Sequence, residues 1–380
     1  MSIHRVDLDH VAIPFSKPYR DGEMRLDQRE SILIRVFEED WVGIGEVAPP
    51  LDALAEEDSN AIEDPWQDLA GPLITALFQA DCVEVPEIIN ALDASGAGRA
   101  ARCGLQTALW DLQGQKQNQP VYQLLGGKRR SVVAGLCLGW CDSVDELMEQ
   151  IRSFLLSDGY RRVKIGIRPG WDLEPLETVR RNFPPNLKIV ADGGGRYDPQ
   201  QMADLIALDP CGLVCLEDPF PMETADACFL LRREMTTPLC LGQRLEGVEA
   251  VRQAVENEYC DMVNLNLSRL EGIEQARHLA QWLDREGVPV WVGSGVELGV
   301  GSVSAVHLAS LSAMTYPTDA ASSFRWYNDE VIRPLLTVRS GEFTLSKAPG
   351  LGIELSEKAL KLYSKRSQSF LRRKYPRRLT

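Results

Sequence analysis

Five polar side chains stand at the ends of short β-branched segments in the second half of the chain: Asp192, Glu217, Arg244, Asn266 and Ser294. Carboxylates are the ligands that hard divalent cations prefer, and a lysine near them can take up or deliver a proton. Any one of these side chains could be a satisfied polar cap. Five of them at equivalent positions favour a functional site.

Alternation along the segment VKIGIR at 163–168 assigns its side chains to two faces. Val163, Ile165 and Ile167 form the apolar face, so we predict that Lys164, Gly166 and Arg168 point to the other side. The same count places two asparagines, Asn264 and Asn266, on the inward face of a later segment. In a closed barrel, inward-facing side chains near the carboxyl ends of the strands line the pocket.

A repeat of strand and helix patterns must position these residues. After Gly127, β-rich segments begin near 132, 161, 187, 212, 238, 260, 288 and 313, with helical segments between them. This alternation is typical of parallel βαβ units, and eight of them predict an α/β fold of the (β/α)8, or TIM-like, barrel type. A Rossmann fold is disfavoured because no G-x-G-x-x-G motif follows the first strand.

The N-terminal part has a different pattern and predicts an α+β capping domain. Alternating segments at 5–14, 31–38 and 41–48 predict a three-stranded meander, and helical periodicity follows at 64–80 and 98–116. We therefore divide the chain into a capping domain at 1–127, a barrel at 128–325 and a segment at 326–380 that returns to the cap.

The last of these segments ends in a basic tail. Residues 365–378 carry seven basic side chains and no acidic one. We expect a solvated tail here in preference to a docking patch for an anionic partner.

Composition narrows the classes of partner. A chain of 380 residues with 44% hydrophobic residues can bury a full core, and a formal charge of −14 argues against nucleic acid. No segment has the length of a membrane span or a signal peptide, so we expect a cytoplasmic protein that binds no membrane. The nine cysteines lie mostly in apolar segments and are expected to be reduced core residues.

Several segments together resemble the enolase superfamily: ALWDLQGQKQNQPVYQLLGG, KIGIRPGWD at 164–172, LEDP at 216–219, VNLNLSRLEG and GVPVWVGSGVELGVG. Within it the chain is most similar to o-succinylbenzoate synthases and N-acylamino acid racemases of the muconate-lactonizing-enzyme subgroup. The resemblance extends from about Val11 to about Gly352. It implies an isomerase or lyase that acts on a small carboxylate, holds Mg²⁺ without an organic cofactor, and forms a homo-oligomer.

The resemblance also implies roles for particular residues. Two of the three metal ligands fall on Asp192 and Glu217, whereas the third falls on Gly242. The two lysines of the family's K-x-K motif fall on Lys164 and Gly166. The opposing lysine falls on Asn266, so three of the five principal groups are absent. The remaining residues that we expect to line a substrate site are Gly166, Arg244, Asn264, Asn266, Ser294, Glu297 and Asp319.

The altered positions leave alternatives open. Arg244 could pair with Asp192 and Glu217 in place of a metal, or point to solvent at the barrel rim. Lys164 could act as a base or Schiff-base amine if the space freed at Gly166 admits a substrate, or it could pair with an acid below the pocket. A loop around residues 14–29 is expected to close over the site.

Three functions remain compatible with the sequence. The first is a divergent enzyme of unknown reaction, metal-assisted on a carboxylate or metal-free through Lys164 or a cysteine such as Cys137. The second is a non-catalytic protein that binds a small carboxylate. The third is a paralogue that acts through its surface, which would make the pocket dispensable.

Overall fold

The computed structural model describes residues 3–21, 24–56, 59–80 and 84–372. Its strands, in chain order, are Arg5–Asp21 (β1), Met24–Glu38 (β2), Trp41–Val47 (β3), Ser131–Val133 (β4), Leu136–Leu138 (β5), Arg162–Gly166 (β6), Lys188–Asp192 (β7), Cys215–Glu217 (β8), Leu239–Leu241 (β9), Met262–Leu265 (β10), Val290–Val292 (β11), Ile332–Arg333 (β12), Glu342–Thr344 (β13), Glu354–Leu355 (β14) and Ser364–Leu371 (β15).

The helices alternate with these strands from β5 to β11. They are Leu51–Ala55 (α1), Glu63–Asp68 (α2), Ile74–Gln79 (α3), Val85–Asp93 (α4), Arg99–Gln117 (α5), Val121–Leu124 (α6), Val144–Ser157 (α7), Leu173–Asn182 (α8), Met202–Ile206 (α9), Asp226–Glu234 (α10), Val248–Glu256 (α11), Ile273–Arg285 (α12), Gly299–Ala309 (α13) and Glu357–Tyr363 (α14). A π-helical turn, Leu69–Leu73, joins α2 to α3, so the predicted helix at 64–80 is nearly continuous.

The capping part is an antiparallel sheet with helices on one face. Its strands lie in the order β15-β1-β2-β3, and α5 packs across β3. Gly43 and Gly45 permit this close approach, because a β-carbon at either position would clash with a backbone carbonyl of α5. The helix predicted at 98–116 is confirmed as α5, which ends at Asn118 in the left-handed conformation.

The first two strands are longer than the sequence pattern indicated. β1 and β2 form a hairpin that pairs Arg5 with Phe37 at one end and Asp21 with Met24 at the other. The prediction of a loop at 14–29 is therefore wrong for the described residues, since most of them are strand. The far end of this hairpin nevertheless reaches the barrel, where Tyr19 and Asp21 line a cavity.

Seven parallel strands, β5 to β11, form the barrel sheet in consecutive order. The eighth segment is irregular, but it bonds to the strands on both sides. The backbone N–H of Asp319 donates to the carbonyl of Val292, and the N–H of Gly135 donates to the carbonyl of Thr318. These bonds close the ring, and the prediction of a TIM-like barrel with an N-terminal capping domain is confirmed.

One predicted barrel strand begins later than expected. The segment near 132 starts with β4, which pairs antiparallel with β13 outside the barrel. The first barrel strand is β5, which begins at Leu136 and pairs with β6.

The C-terminal segment returns to the cap as a strand. β15 pairs antiparallel with β1, with Leu371 opposite Arg5. Arg366 donates to Glu63 at 3.0 Å, and its guanidinium lies 4.0 Å from the ring centroid of Trp66. The tail is therefore not frayed at 365–371, where it forms an edge strand, but most of its side chains there are exposed, as expected of a solvated segment. The basic residues from 373 to 378 lie outside the described residues.

Eight of the nine cysteines are described; all eight are free, and all but the half-buried Cys137 are buried. This confirms the prediction of reduced core cysteines for those eight. Among the described helices, none is both long and apolar enough to cross a membrane. The cytoplasmic location, the homo-oligomeric state and the absence of a nucleic-acid partner stay predictions.

Candidate functional site

A cavity of ≈ 330 Å³ opens at the carboxyl ends of the barrel strands, beneath the tip of the β1–β2 hairpin. The residues predicted from the sequence that line it are Lys164, Gly166, Asp192, Arg244, Asn266, Ser294 and Asp319. Glu217 and Asn264 do not line the cavity and are fully or almost fully buried. The alternation of side chains along the strands therefore predicted correctly which residues gather at the carboxyl ends of the strands.

Lys164 is the centre of this site and is paired with three carboxylates. Its Nζ lies 2.9 Å from Asp319 Oδ2, 3.1 and 3.2 Å from the two oxygens of Glu217, and 3.6 Å from Asp192 Oδ2. Lys164 is 5% exposed and Glu217 is 0% exposed. Of the two alternatives for Lys164, the structure agrees with pairing to acids, although two of them, Asp192 and Asp319, line the cavity and do not lie below it.

A second cation completes the cluster. Arg162, at the start of β6, donates through Nη2 to Asp319 Oδ1 and to the carbonyl of Pro317. The amide of Asn264 bridges two of the acids, since its Nδ2 lies 2.7 Å from Glu217 Oε1 and 3.1 Å from Asp319 Oδ2. Asp319 therefore accepts hydrogen bonds on both oxygens.

These contacts shift the protonation equilibria in defined directions. Burial would lower the pKa of Lys164, but Asp319, Glu217 and Asp192 outweigh it and hold the pKa well above its ordinary value. Burial would raise the pKa of Asp319, yet Arg162 and Lys164 hold it well below its usual range. Burial raises the pKa of Glu217, and Lys164 opposes that shift. Lys164 is thus a charged ammonium and not a free amine.

The third metal-ligand position is closed as well as vacant. A β-carbon added at Gly242 would lie 2.8 Å from the β-carbon of Asn264 and 3.1 Å from Glu217 Oε1. The neighbouring Asp218 points away from the pocket, as the alternation predicted, and accepts from the backbone N–H groups of Gly242 and Gln243. Among the described residues, no group of three or more His, Cys, Asp or Glu side chains is arranged to hold a metal ion.

A divalent metal fits these residues poorly. Mg²⁺ needs oxygen ligands at about 2.0–2.1 Å in octahedral geometry. Asp192 and Glu217 are present, but the ammonium of Lys164 already lies against both of them. A metal ion would have to displace that ammonium or share its carboxylates.

Arg244 does not pair with Asp192 and Glu217 in place of a metal. Its Nη2 donates to the backbone carbonyl of Gly194, and no contact within 4 Å joins it to Asp192 or Glu217. The hypothesis that Arg244 substitutes for a metal is therefore wrong. The guanidinium lines the pocket at its exposed rim.

The side chain of Trp140 borders Gly166 closely on one side, while Gly166 lines the cavity. A β-carbon there would lie 3.0 Å from Cδ1 of Trp140, which follows the first barrel strand. The guanidinium of Arg168 lies 4.0 Å from the ring centroid of Trp140 on the exposed side, so Arg168 is not in the pocket. Gly166 and Lys164 both line the cavity, so the alternative in which a substrate reaches Lys164 past Gly166 stays a hypothesis.

The remaining predicted residues make local contacts. Ser294 Oγ donates to Glu297 Oε2 at 2.7 Å, and Glu297 Oε1 accepts from the N–H of Gly295. Asn266 Oδ1 accepts from the N–H and hydroxyl of Ser268, which leaves its amide nitrogen toward the cavity wall. Glu297 lies beside a separate small cavity behind this wall.

Several residues that line the cavity were not found from the sequence. They are Tyr19 and Asp21 from the hairpin, Trp140 and Arg196 from loops, and Arg325 and Trp326 from the segment after the eighth barrel position. Asp21 pairs with Arg196, whose guanidinium lies 4.8 Å from the ring centroid of Trp140. Strand alternation carries no signal for such loop residues.

Arg325 differs from the other basic residues of the cavity. Its Nη2 donates to the carbonyl of Cys137 at 3.2 Å, its Nε is buried without a hydrogen-bond partner, and no described carboxylate lies within 4 Å of it. Burial lowers its pKa. Burial raises the pKa of the neighbouring Cys137 thiol to about 12, which removes it as a thiolate nucleophile near neutral pH.

The fold and this site define a capped (β/α)8-barrel protein whose polar residues meet at the strand ends. Residues 146–359 match the family model described as enolase C-terminal domain-like, and residues 10–126 match the mandelate racemase / muconate lactonizing enzyme N-terminal domain. The chain belongs to this family of the enolase superfamily.

Similar proteins cover nearly the whole chain. The o-succinylbenzoate synthase of Geobacillus kaustophilus is 28% identical over 98% of both chains, and the N-succinylamino acid racemase of Thermus thermophilus is 29% identical over 93% of this chain and 95% of its own. A solved enolase-superfamily member from Listeria innocua superposes with a TM-score of 0.90 at 25% identity, covering 98% of this chain and all of its own. Muconate lactonizing enzyme from Pseudomonas fluorescens, at 19% identity and a TM-score of 0.89 over 96% and 99% of the chains, has the same fold.

Proposed function

We propose that this chain binds a small carboxylate in the barrel pocket and does not carry out two-lysine abstraction of an α-proton. The observation that carries the proposal is the pairing of Lys164 with Asp319, Glu217 and Asp192. The other two positions at which the family resemblance implies lysines are Gly166 and Asn266. Among the residues that the structure describes, the site therefore contains no lysine that is free to accept a proton.

A general base needs an available lone pair and a pKa near the operating pH. Lys164 has neither, because its ammonium is bonded to carboxylates that raise its pKa. Acid–base groups contribute roughly 10² to 10⁴-fold to such reactions, so residual family chemistry should be slower by at least that factor.

The cavity retains groups suited to an anionic ligand. Arg325 and Arg244 line it without a carboxylate partner among the described residues, and Asn266 adds an amide. Guanidinium groups bind carboxylates through paired hydrogen bonds. The relatives are named for o-succinylbenzoate and N-succinylamino acids, which are carboxylates, and this supports the same class of ligand here.

A metal-assisted isomerase or lyase is the second candidate. Full-length similarity to such enzymes at 28–29% identity favours it, and Asp192 and Glu217 are two of the ligands that Mg²⁺ would use. The position of Lys164 against both acids argues against it.

Calorimetry and proton exchange separate the two candidates. The protein is titrated with o-succinylbenzoate and with N-succinyl amino acids, and the N-succinyl amino acids are then incubated with it in D₂O, with and without Mg²⁺, and followed by proton NMR. We expect saturable binding and no exchange of the α-proton above the buffer rate. Mg²⁺-dependent exchange would overturn the proposal in favour of the second candidate, and a lack of binding by every carboxylate would overturn it altogether.

A further inference from the structure

The charged cluster around Lys164, part of which lines the pocket, indicates a fixed internal cation. Two cations, Arg162 and Lys164, face three carboxylates. Arg162 reaches only Asp319, so Lys164 alone stands between Asp192 and Glu217. Removing its charge would leave buried acids facing one another without compensation.

We propose that the Lys164 ammonium is the resident cation of this barrel and occupies the place of a divalent metal, so that the folded chain neither needs nor binds one. The proposal goes beyond ligand binding, because it concerns what holds the carboxylates together before any ligand arrives. It does not depend on whether the pocket is catalytic.

The geometry around Nζ supports this assignment. Three carboxylates converge on one ammonium at 2.9 to 3.6 Å, the distances of charge-assisted hydrogen bonds and close ion pairs. A metal ion bound to Glu217 at about 2.1 Å would lie within roughly 5 Å of that ammonium, where the two cations repel each other strongly in a buried site. The ammonium therefore disfavours a metal ion beside it, because the two cations would compete for the same carboxylates.

The lack of space for a side chain at Gly242 also argues against a bound divalent metal. A third carboxylate there would have to fit where even a β-carbon approaches Asn264 to 2.8 Å. Asn264 uses that space to donate to Glu217 and Asp319. The two cations and three carboxylates of the cluster leave a net charge of −1, and the closed position 242 adds no further carboxylate.

Removal of the ammonium tests the proposal directly. Lys164→Ala leaves Asp192, Glu217 and Asp319 around an empty position, which is a donor set suited to Mg²⁺ or Mn²⁺. Thermal unfolding is measured for wild type and variant in EDTA, in MgCl₂ and in MnCl₂, with NaCl used to equalise ionic strength. Binding of Mn²⁺ alone is followed in parallel by calorimetry.

We expect the midpoint of wild-type unfolding to be the same in EDTA and in either metal, and no saturable Mn²⁺ binding. Lys164→Ala should unfold at least roughly 5 °C lower in EDTA, recover most of that loss in Mn²⁺, and lose the recovery when combined with Asp192→Asn. Lys116→Ala is the matched control: it removes an ion pair of 2.5 Å with Glu38 in the cap and should gain no response to metal.

Saturable Mn²⁺ binding by wild type that Asp192→Asn abolishes would overturn the proposal. A folded Lys164→Ala that shows no stabilisation by metal would also overturn it. If that variant does not fold, Lys164→Gln, which keeps a hydrogen-bond donor and removes the charge, is judged by the same two readouts. Carboxylate turnover without any metal would refute the proposed function and leave this inference intact, so the two can fail separately.

Discussion

The indole of Trp140 borders Gly166 so closely that a β-carbon at this glycine would lie 3.0 Å from Cδ1 and 3.3 Å from Nε1. Trp140 belongs to the loop after β5, and the guanidiniums of Arg168 and Arg196 lie 4.0 and 4.8 Å from its ring centroid. The aromatic ring thus fills the position that a side chain at 166 would use. A lysine introduced at 166 would consequently have to move the indole before its amine could take part in chemistry.

We expect Gly166→Lys alone to destabilise the protein by about 1–3 kcal/mol, because the new side chain must displace the indole. Combining it with Trp140→Ala should relieve part of that loss, giving a favourable coupling of at least about 0.5 kcal/mol. Urea unfolding of wild type, both single variants and the double variant measures the coupling. Additive effects of the two substitutions would contradict this account of the contact.

Arg325 is expected to contribute more to ligand binding than any other basic side chain of the cavity. Its guanidinium has no described carboxylate within 4 Å and its Nε has no hydrogen-bond partner, so a bound carboxylate would satisfy both needs. Arg325→Gln should weaken binding of a small carboxylate by at least roughly tenfold, as expected for loss of a hydrogen bond to a charged group. Calorimetric titration with the best ligand found for wild type measures the change.

The control for this substitution lies at the other end of the barrel. Arg161 is exposed and precedes β6, away from the strand ends that form the pocket. Arg161→Gln removes the same charge and should change the affinity by less than about twofold if the effect is local. Equal weakening by both substitutions would mean that overall charge, and not contact with Arg325, attracts the ligand.

The sequence predicted the architecture because periodicity is a local signal. The apolar face of Val163, Ile165 and Ile167 was enough to place Lys164 inward, and repetition of strand and helix was enough to predict the barrel. The eighth position was found in the same way, although its backbone is irregular.

The contacts within the site could not be predicted in this way. A long side chain such as Lys164 or Arg244 can reach several partners from one backbone position, and the choice depends on groups that other strands bring near. Trp140, Arg325 and Tyr19 come from loops and a hairpin tip, where no alternation rule applies. One contact could be anticipated in part, because the sequence already placed Lys164 on the same inward face as the retained acids Asp192 and Glu217.

Asp319 is expected to be important for stability as the acceptor of both buried cations. It is 4% exposed and takes bonds from Arg162, Lys164, Asn264 and the indole of Trp291. Asp319→Asn keeps the shape but leaves Arg162 without its carboxylate, which should lower the free energy of unfolding by about 3–5 kcal/mol. Glu177→Gln, which breaks an exposed pair with Arg181, should lower it by less than about 1 kcal/mol.

Urea unfolding at pH 7 compares these two variants with wild type. A loss of similar size in both would mean that Asp319 acts as an ordinary surface acid. A loss confined to Asp319→Asn would agree with a paired, buried cluster at the strand ends.

His307 should make the protein less stable in acid. It is buried on α13, its Nδ1 accepts from the backbone N–H of Tyr122 at 2.9 Å, and its Nε2 donates to the carbonyl of Leu351 at 3.2 Å. The neutral ring satisfies both contacts. Burial lowers its pKa from 6.5 to about 4, while the bond to Leu351 opposes the shift.

Because the folded pKa lies below the unfolded one, this group's contribution to stability is complete above about pH 6.5 and is lost as the pH falls toward 4. The loss over that range should reach about 3 kcal/mol. His307→Gln, which can accept and donate but cannot become charged, should show a smaller loss between pH 7 and pH 4.5 by urea unfolding. His278→Gln, on the exposed side of α12, should keep the wild-type dependence, and identical pH profiles for wild type and His307→Gln would show that acid acts elsewhere in the fold.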